Sequence, residues 1–232
     1  MKSRGMIFNA EMVRAILDGT KTQTRRIIKL QPHAGVRPSV FVKSGFEDAH
    51  GNELVCPFGQ PGDRIWVRET WAMLGNEDRC PIDWNENVVK DNGPDAARIY
   101  RASCTQGDYG LWQIPDDADW KPHTDSLQYD GAWTPSIHMP RWASRITLEI
   151  TNVGVQRLQS ISQNDAAREG LVRLPASGRY CINQGDQYFG GTSHDAREVF
   201  SWLWSSIYGA ESWQANPWVW VIEFRRVDGG AS

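Results

Sequence analysis

The chain has 232 residues, 40% of them hydrophobic and 23% charged, with a formal net charge of −3 and a pI near 6.0. This is the composition of an ordinary globular chain, and no apolar run reaches the roughly 18 residues that a membrane span needs. Net acidity excludes capture of duplex DNA by a dense basic face, so a nucleic-acid site would have to be a local pocket.

The N-terminal stretch MKSRGMIFNAEM lacks the apolar core of a secretory signal, which predicts a cytoplasmic chain with reduced thiols. MIFNAEMVRAILDG reads as a short strand, then a helix capped near Asn9. Met12, Val13, Ile16 and Leu17 share one face of that helix, which ends at Gly19. A strand is predicted from Lys21 to Ile28. Its alternation sets Thr22, Thr24 and Arg26 against Lys21, Gln23 and Arg25, so Lys21 shares a face with Thr24 only through an irregularity, which the glycine-led helix exit is expected to supply. FGQPGDRIWVRETWA is a Pro-Gly-Asp turn feeding a strand through Ile65, Trp66 and Val67, which ends on Glu69, Thr70 and Trp71.

Residues 75–135 are rich in Asp, Asn, Gly and Pro, with one strand at ARIYRA and isolated Trp84, Trp112, Trp120 and Trp133. They read as an insertion within a single domain of residues 1–232. SIHMPRWASRITLEITNVGVQRL is the longest strand signal, with Ile146, Leu148 and Ile150 alternating against Thr147, Glu149 and Thr151. ISQNDAAREGL predicts a short helix with Ser162 as N-cap, Asp165 in its first turn and an end at Glu169 before Gly170. HDAREVFSWLWSSIYG predicts a second helix with a stripe of Ala196, Val199, Phe200, Leu203, Trp204 and Ile207. PWVWVIEFRRV closes the chain as a strand apolar enough to be buried on both faces. Helices mixed with mostly antiparallel strands give an α+β fold with a small barrel.

Cys56, Cys80, Cys104 and Cys181 each stand more than 20 residues from the next, and His33, His50, His123, His138 and His194 are equally scattered. No metal or cofactor is expected from such spacing. Twelve tryptophans point first to core packing and second to surfaces that stack on a base.

A helix ending in L-x-G, then K-T-x-T-x-R at 21–26, then a G-D-x-I-x-V strand at 62–67 form the first half of a recognisable order. A long Ile-rich strand, a short helix ending in A-x-x-E-G and a closing V-I-E-F strand complete it. This order resembles the ASCH domain, a PUA-like β-barrel family. The ordered motifs cover residues 6–28, 59–73 and 136–226, and the 75–135 insertion lies outside the compact family pattern. PGDRIWVRETW and PSIHMPRWASRI resemble the long members common in bacteriophages and prophages. The resemblance implies a small PUA-like barrel with flanking helices, and an activity like that of the bacterial N4-acetylcytidine amidohydrolases. It assigns catalysis to Lys21, Thr24 and Glu169 and matches Arg26 to the family's arginine. It also implies a modified nucleoside or nucleotide as substrate. Other ASCH proteins resemble RNA binders or ribonucleases, so single-stranded RNA or DNA is a further partner.

Hydrolysis of an acylated exocyclic amine needs a nucleophile, a base, and stabilisation of a developing oxyanion. Either Thr24 attacks with Lys21 as its base, or Glu169 activates a water. The alternative is a plain salt bridge between Lys21 and Glu169. Glu69, on a strand expected to flank Lys21, either reads a base edge or pairs with Arg68 or Arg145. Trp71 and Trp142 are either stacking surfaces or core. Arg141 and Arg145 either meet a phosphate or serve as solubilising arginines on a strand.

Overall fold

The computed structural model describes residues 1–32, 35–76, 78, 80–90, 93–103, 133–183, 185–186 and 190–227. Trp112, Trp120, Cys104, His33 and His123, with most of the central part of the 75–135 insertion, lie outside the described residues.

Strand β1 (Ser3–Ile7) leads into helix α1 (Ala10–Leu17), whose first turn is closed by the Asn9 side chain accepting from the Met12 amide at 2.9 Å. Gly19, at φ 77°, ends the helix where a side chain would be strained. Next come β2 (Gln23–Ile27), the short β3 (Val36–Pro38) and β4 (Phe46–Asp48) hairpin, then β5 (Arg64–Arg68). The strand through Trp66 stops at Arg68, three residues before its expected end at Trp71. Trp71 instead opens β6 (Trp71–Met73), which pairs antiparallel with β7 (Arg98–Tyr100) of the ARIYRA stretch.

The long strand β8 (Thr147–Arg157) begins later than its sequence suggests. Prolines 135 and 140 start two single 3₁₀ turns at Ser136–His138 and Arg141–Ala143, so neither Arg141 nor Arg145 lies on a strand. Helix α2 (Gln163–Arg168) has Ser162 as N-cap and Glu169 as C-cap, as its sequence predicts. After the β9 (Val172–Arg173) and β10 (Tyr180–Cys181) ladder come α3 (Ala196–Tyr208), the short α4 (Glu211–Gln214) and β11 (Trp218–Val227).

Five strands form one sheet in the order β1-β5-β8-β11-β2, parallel between β1 and β5 and antiparallel elsewhere. The chain is therefore a mixed α/β protein whose main layer is β-sheet. Its apolar closing strand, β11, is an inner strand flanked by β8 and β2, and both its faces are covered. On one face Trp220, Ile222 and Phe224 pack with Ile65, Val67, Leu148, Ile150 and the α1 residues Val13 and Ile16. On the other, Val219 packs with Leu158, Ala166 of α2, and Val199, Phe200, Leu203 and Trp204 of α3. Ile207, the last member of the α3 stripe, stays 41% exposed.

Register carries this two-sidedness onto β2. Thr24 lies opposite Ile222 and Arg26 opposite Trp220, so both belong to the first face. Arg25 lies opposite Val221 and belongs to the second. Among the described residues β1 and β2 are the sheet's two edges, and the Arg26 guanidinium spans them by donating to the Ile7 carbonyl at 2.8 Å. No helix among the described residues is long and apolar enough to cross a membrane.

Ile222 is fully buried at the centre of this arrangement. Ile222→Ala is expected to cost about 2–5 kcal/mol of unfolding free energy, read as a drop in the urea midpoint with little change in slope.

Candidate functional site

Glu169 sits where α2 ends, and Gly170 after it holds φ 101°. A Cβ at Gly170 would stand 2.8 Å from Ala15 Cβ and 3.0 Å from Lys21 Cβ. The α2 end therefore closes directly onto the exit of α1. There the Lys21 amide donates to Ala15 O at 2.9 Å and the Thr22 amide to Arg168 O at 3.0 Å. Lys21 and Glu169 form an isolated antiparallel bridge, and the regular strand starts only at Gln23.

The side chains complete the junction. Lys21 Nζ donates to Glu169 O at 2.7 Å and to Glu169 Oε2 at 2.8 Å, while Arg25 Nη1 donates to Glu169 Oε1 at 2.8 Å. Side-chain exposures are 0% for Lys21, 1% for Arg25 and 3% for Glu169. When the Gln156 amide turns its oxygen toward Arg25, that oxygen accepts from Nε and Nη2 at 3.1 and 2.9 Å, and both groups are satisfied. Gln23 adds a further tie to α2 by donating to Asp165 O at 2.5 Å. Lys21, Gln23 and Arg25 thus reach α2 together, as strand alternation requires. Thr24 lies on the other face.

Burial pushes the Lys21 ammonium pKa down from that of a solvated lysine. The Glu169 charge partly offsets this, while Arg26 and Arg25 add to it. Two cations face one carboxylate in a deeply buried site. The excess positive charge favours an anion or a developing oxyanion at the same place.

A crevice runs along the free edge of β2 between α1 and α3. Thr24, Arg25, Arg26 and Glu169 form its polar end, and Met12, Phe200, Trp204 and Tyr208 its apolar walls. Its volume is about 10 Å³, room for one water. Lys21 does not line it and stands behind Glu169. Because β2 is an edge strand, residues from both its faces border the same opening. The buried Trp204 Nε1 has no acceptor among the described residues, leaving a donor in the crevice wall. Arg26 is half-buried, its guanidinium 5.2 Å from the Phe8 ring and 3.5 Å from the Tyr208 hydroxyl.

The other residues singled out in the sequence gather elsewhere. Glu69 is 1% exposed and its carboxylate takes a bidentate pair of bonds from Arg145, both 3.0 Å. Burial raises its carboxyl pKa, and Arg145 pulls it part of the way back. The strand that leads to it, β5, pairs with β1 and β8 and does not flank Lys21. Arg145 also lies over the Tyr100 ring at 4.1 Å. Trp71 is buried edge-on against Trp142 at 5.5 Å, and Arg98 covers the Trp142 ring at 5.6 Å, so packing occupies both indoles. Arg141 is exposed, 3.4 Å from Thr147 Oγ1. Arg25, Gln156 and Trp204 were not singled out in the sequence. For Arg25 the signal was present, since it shares a strand face with Lys21.

Among the described residues no three His, Cys, Asp or Glu side chains are grouped to hold a metal ion. Comparisons with protein-family models, curated proteins and solved structures find no match to the chain.

Glu169→Gln leaves two buried cations facing a neutral amide. It is expected to cost about 3–5 kcal/mol in urea unfolding, the loss typical of removing one member of a buried ion pair. A cost under about 1 kcal/mol would mean that solvent screens these charges as it does a surface ion pair.

Proposed function

We propose that the chain is a metal-independent amidohydrolase that removes an acyl group from the exocyclic N4 of a cytosine nucleoside or related nucleotide. The observation that carries this reading is the dry Lys21–Glu169–Arg25 cluster, which borders a crevice where an attacking water and a developing oxyanion would meet charged partners. The K-T-x-T-x-R and A-x-x-E-G motifs that meet at this cluster are those on which the ASCH resemblance rests. The PUA-like barrel belongs to the same proposal. It is supported by the sheet order and by the Arg26–Ile7 bond, which brings the two edge strands within one side chain's reach.

Of the two nucleophiles, water fits better than Thr24. Lys21 and Thr24 occupy opposite faces of the chain at β2, whereas Glu169 borders a space the size of one water. In the proposed reaction Glu169 takes a proton as the water oxygen bonds to the acyl carbon. Arg25, Arg26 and the buried Lys21 charge stabilise the oxyanion, and Glu169 returns the proton to N4 as the C–N bond breaks. The products are a carboxylic acid and the cytosine nucleoside or nucleotide with its free N4 amine. Lys21 is a positioning residue that holds the carboxylate from behind.

One-water dimensions also mean that a cytosine enters only when the Ile207–Tyr208 end of α3 moves away from Arg26. That smallness favours a second reading, a module that binds a modified base or single-stranded RNA without chemistry.

The test is incubation of EDTA-treated protein with N4-acetylcytidine and its deoxy analogue, with the deacylated product followed by chromatography. Release is expected, with Glu169→Gln and Lys21→Ala each lowering kcat by about 100-fold or more in preparations whose circular dichroism matches the parent. Absence of release from both substrates would replace the hydrolase with the binding module.

A further inference from the structure

A second cavity, of about 600 Å³, shares no lining residue with the crevice. It lies between β1, the loop of the β3–β4 hairpin and the segment before β5, with Val153 of β8 and Trp220 of β11 in its floor. Its size is in the range of small-molecule sites, about 300–1,000 Å³.

Three cations, Lys2, Arg4 and Lys43, line this cavity. Among the described residues no carboxylate stands within ion-pair distance of any of them. The two acids in the wall are engaged by backbone. Glu53 Oε1 accepts from the Ser44 amide at 2.7 Å. Asp63 accepts from the Lys2 amide at 2.6 Å and the Gln60 amide at 3.2 Å, which holds its carboxyl below the usual range. Arg4 uses Nη1 on the Pro57 carbonyl at 2.6 Å, only part of its fork of donors. The wall also has an apolar part, from Val42, Val55, Pro61, Val153 and Trp220, and Val55 is 66% exposed, so burial in the core does not account for it.

Unpaired cations above an exposed apolar wall match an anion with a carbon body. Three positive groups suit a dianion better than a single carboxylate, and a phosphate monoester carries about −1.5 to −2 at neutral pH. We propose that this cavity binds an organic phosphate, with the phosphate between Lys2, Arg4 and Lys43 and the carbon body against Val55 and Val153. Nucleotides and sugar phosphates share that chemistry. The inference does not depend on the hydrolase reading, because its residues are not those of the crevice and the Arg26→Ala variant separates binding at the two places.

Isothermal titration calorimetry of the full chain with cytidine 5′-monophosphate, ribose 5-phosphate and inorganic phosphate tests it. At least one organic phosphate is expected to bind about tenfold or more tightly than inorganic phosphate. The Lys2→Ala/Lys43→Ala double variant, which removes two exposed side chains, is expected to weaken that binding at least about tenfold, whereas Arg26→Ala in the crevice leaves it unchanged. Preference for the cytidine compound would assign a nucleotide site, and equal binding of ribose 5-phosphate a sugar-phosphate site. No binding of either at millimolar concentration would overturn the proposal. So would equal affinity for inorganic phosphate, or loss of binding in Arg26→Ala but not in the double variant.

Discussion

A single carboxylate, Glu169, is held at 2.8 Å by Lys21 from one side and by Arg25 from the other, and its own carbonyl takes a second bond from Lys21. Two segments distant in sequence meet there, Lys21 and Glu169 standing 148 residues apart: the stretch that leaves α1 and enters β2, and the C-cap of α2. Burying these charges is costly, and the bonds repay that cost only in this geometry. The local chain is shaped accordingly. Gly170 lacks the Cβ that would collide with Ala15 and Lys21, and Lys21 leaves the regular strand so that its amide and ammonium both find partners. An edge strand that would otherwise offer free backbone groups is thereby locked beneath two helices.

The same junction determines what chemistry the site offers. Because β2 is an edge, Thr24 and Arg26 from the core face border the crevice beside Arg25 and Glu169 from the helix face. Arg25 and Arg26 bring positive charge to this crevice, with Lys21 behind Glu169. Aromatic rings of α3 form the opposite wall, where Trp204 and Tyr208 stack at 4.3 Å. A planar ring bound there would meet apolar surface on one side and cations at its end.

Much of this was readable from residue order, and the failures have local causes. Asn9 and Ser162 announce their helices because a short polar side chain satisfies free amides, and Gly170 marks the stop because the chain turns there at positive φ. The period-2 alternation at 21–26 separates Lys21 and Arg25 from Thr24; the irregularity expected at the helix exit is present at Lys21, but it turns the lysine toward Glu169 and does not bring it to the face of Thr24. The family resemblance directed attention to Arg26 instead, which spans the two sheet edges. Glu69 was misplaced because strand adjacency is a long-range property. Its sequence gives the strand but not its neighbours, and only the fold shows β5 between β1 and β8. The turns at Ser136–His138 and Arg141–Ala143 were read as strand because hydrophobic spacing outweighed two prolines. The β3–β4 hairpin, too short for a periodic signal, was missed along with the cation-lined cavity it walls.

Titration of Lys21 by ¹⁵Nζ or ¹³Cε NMR bears most directly on the buried charge cluster. Desolvation dominates its environment, with Glu169 as the main opposing influence. The Lys21 midpoint is therefore predicted to fall below that of the solvated lysines in the same spectrum, and to fall further in Glu169→Gln. A midpoint at or above theirs, unmoved by Glu169→Gln, would contradict the dry cluster on which both the fold junction and the proposed chemistry rest.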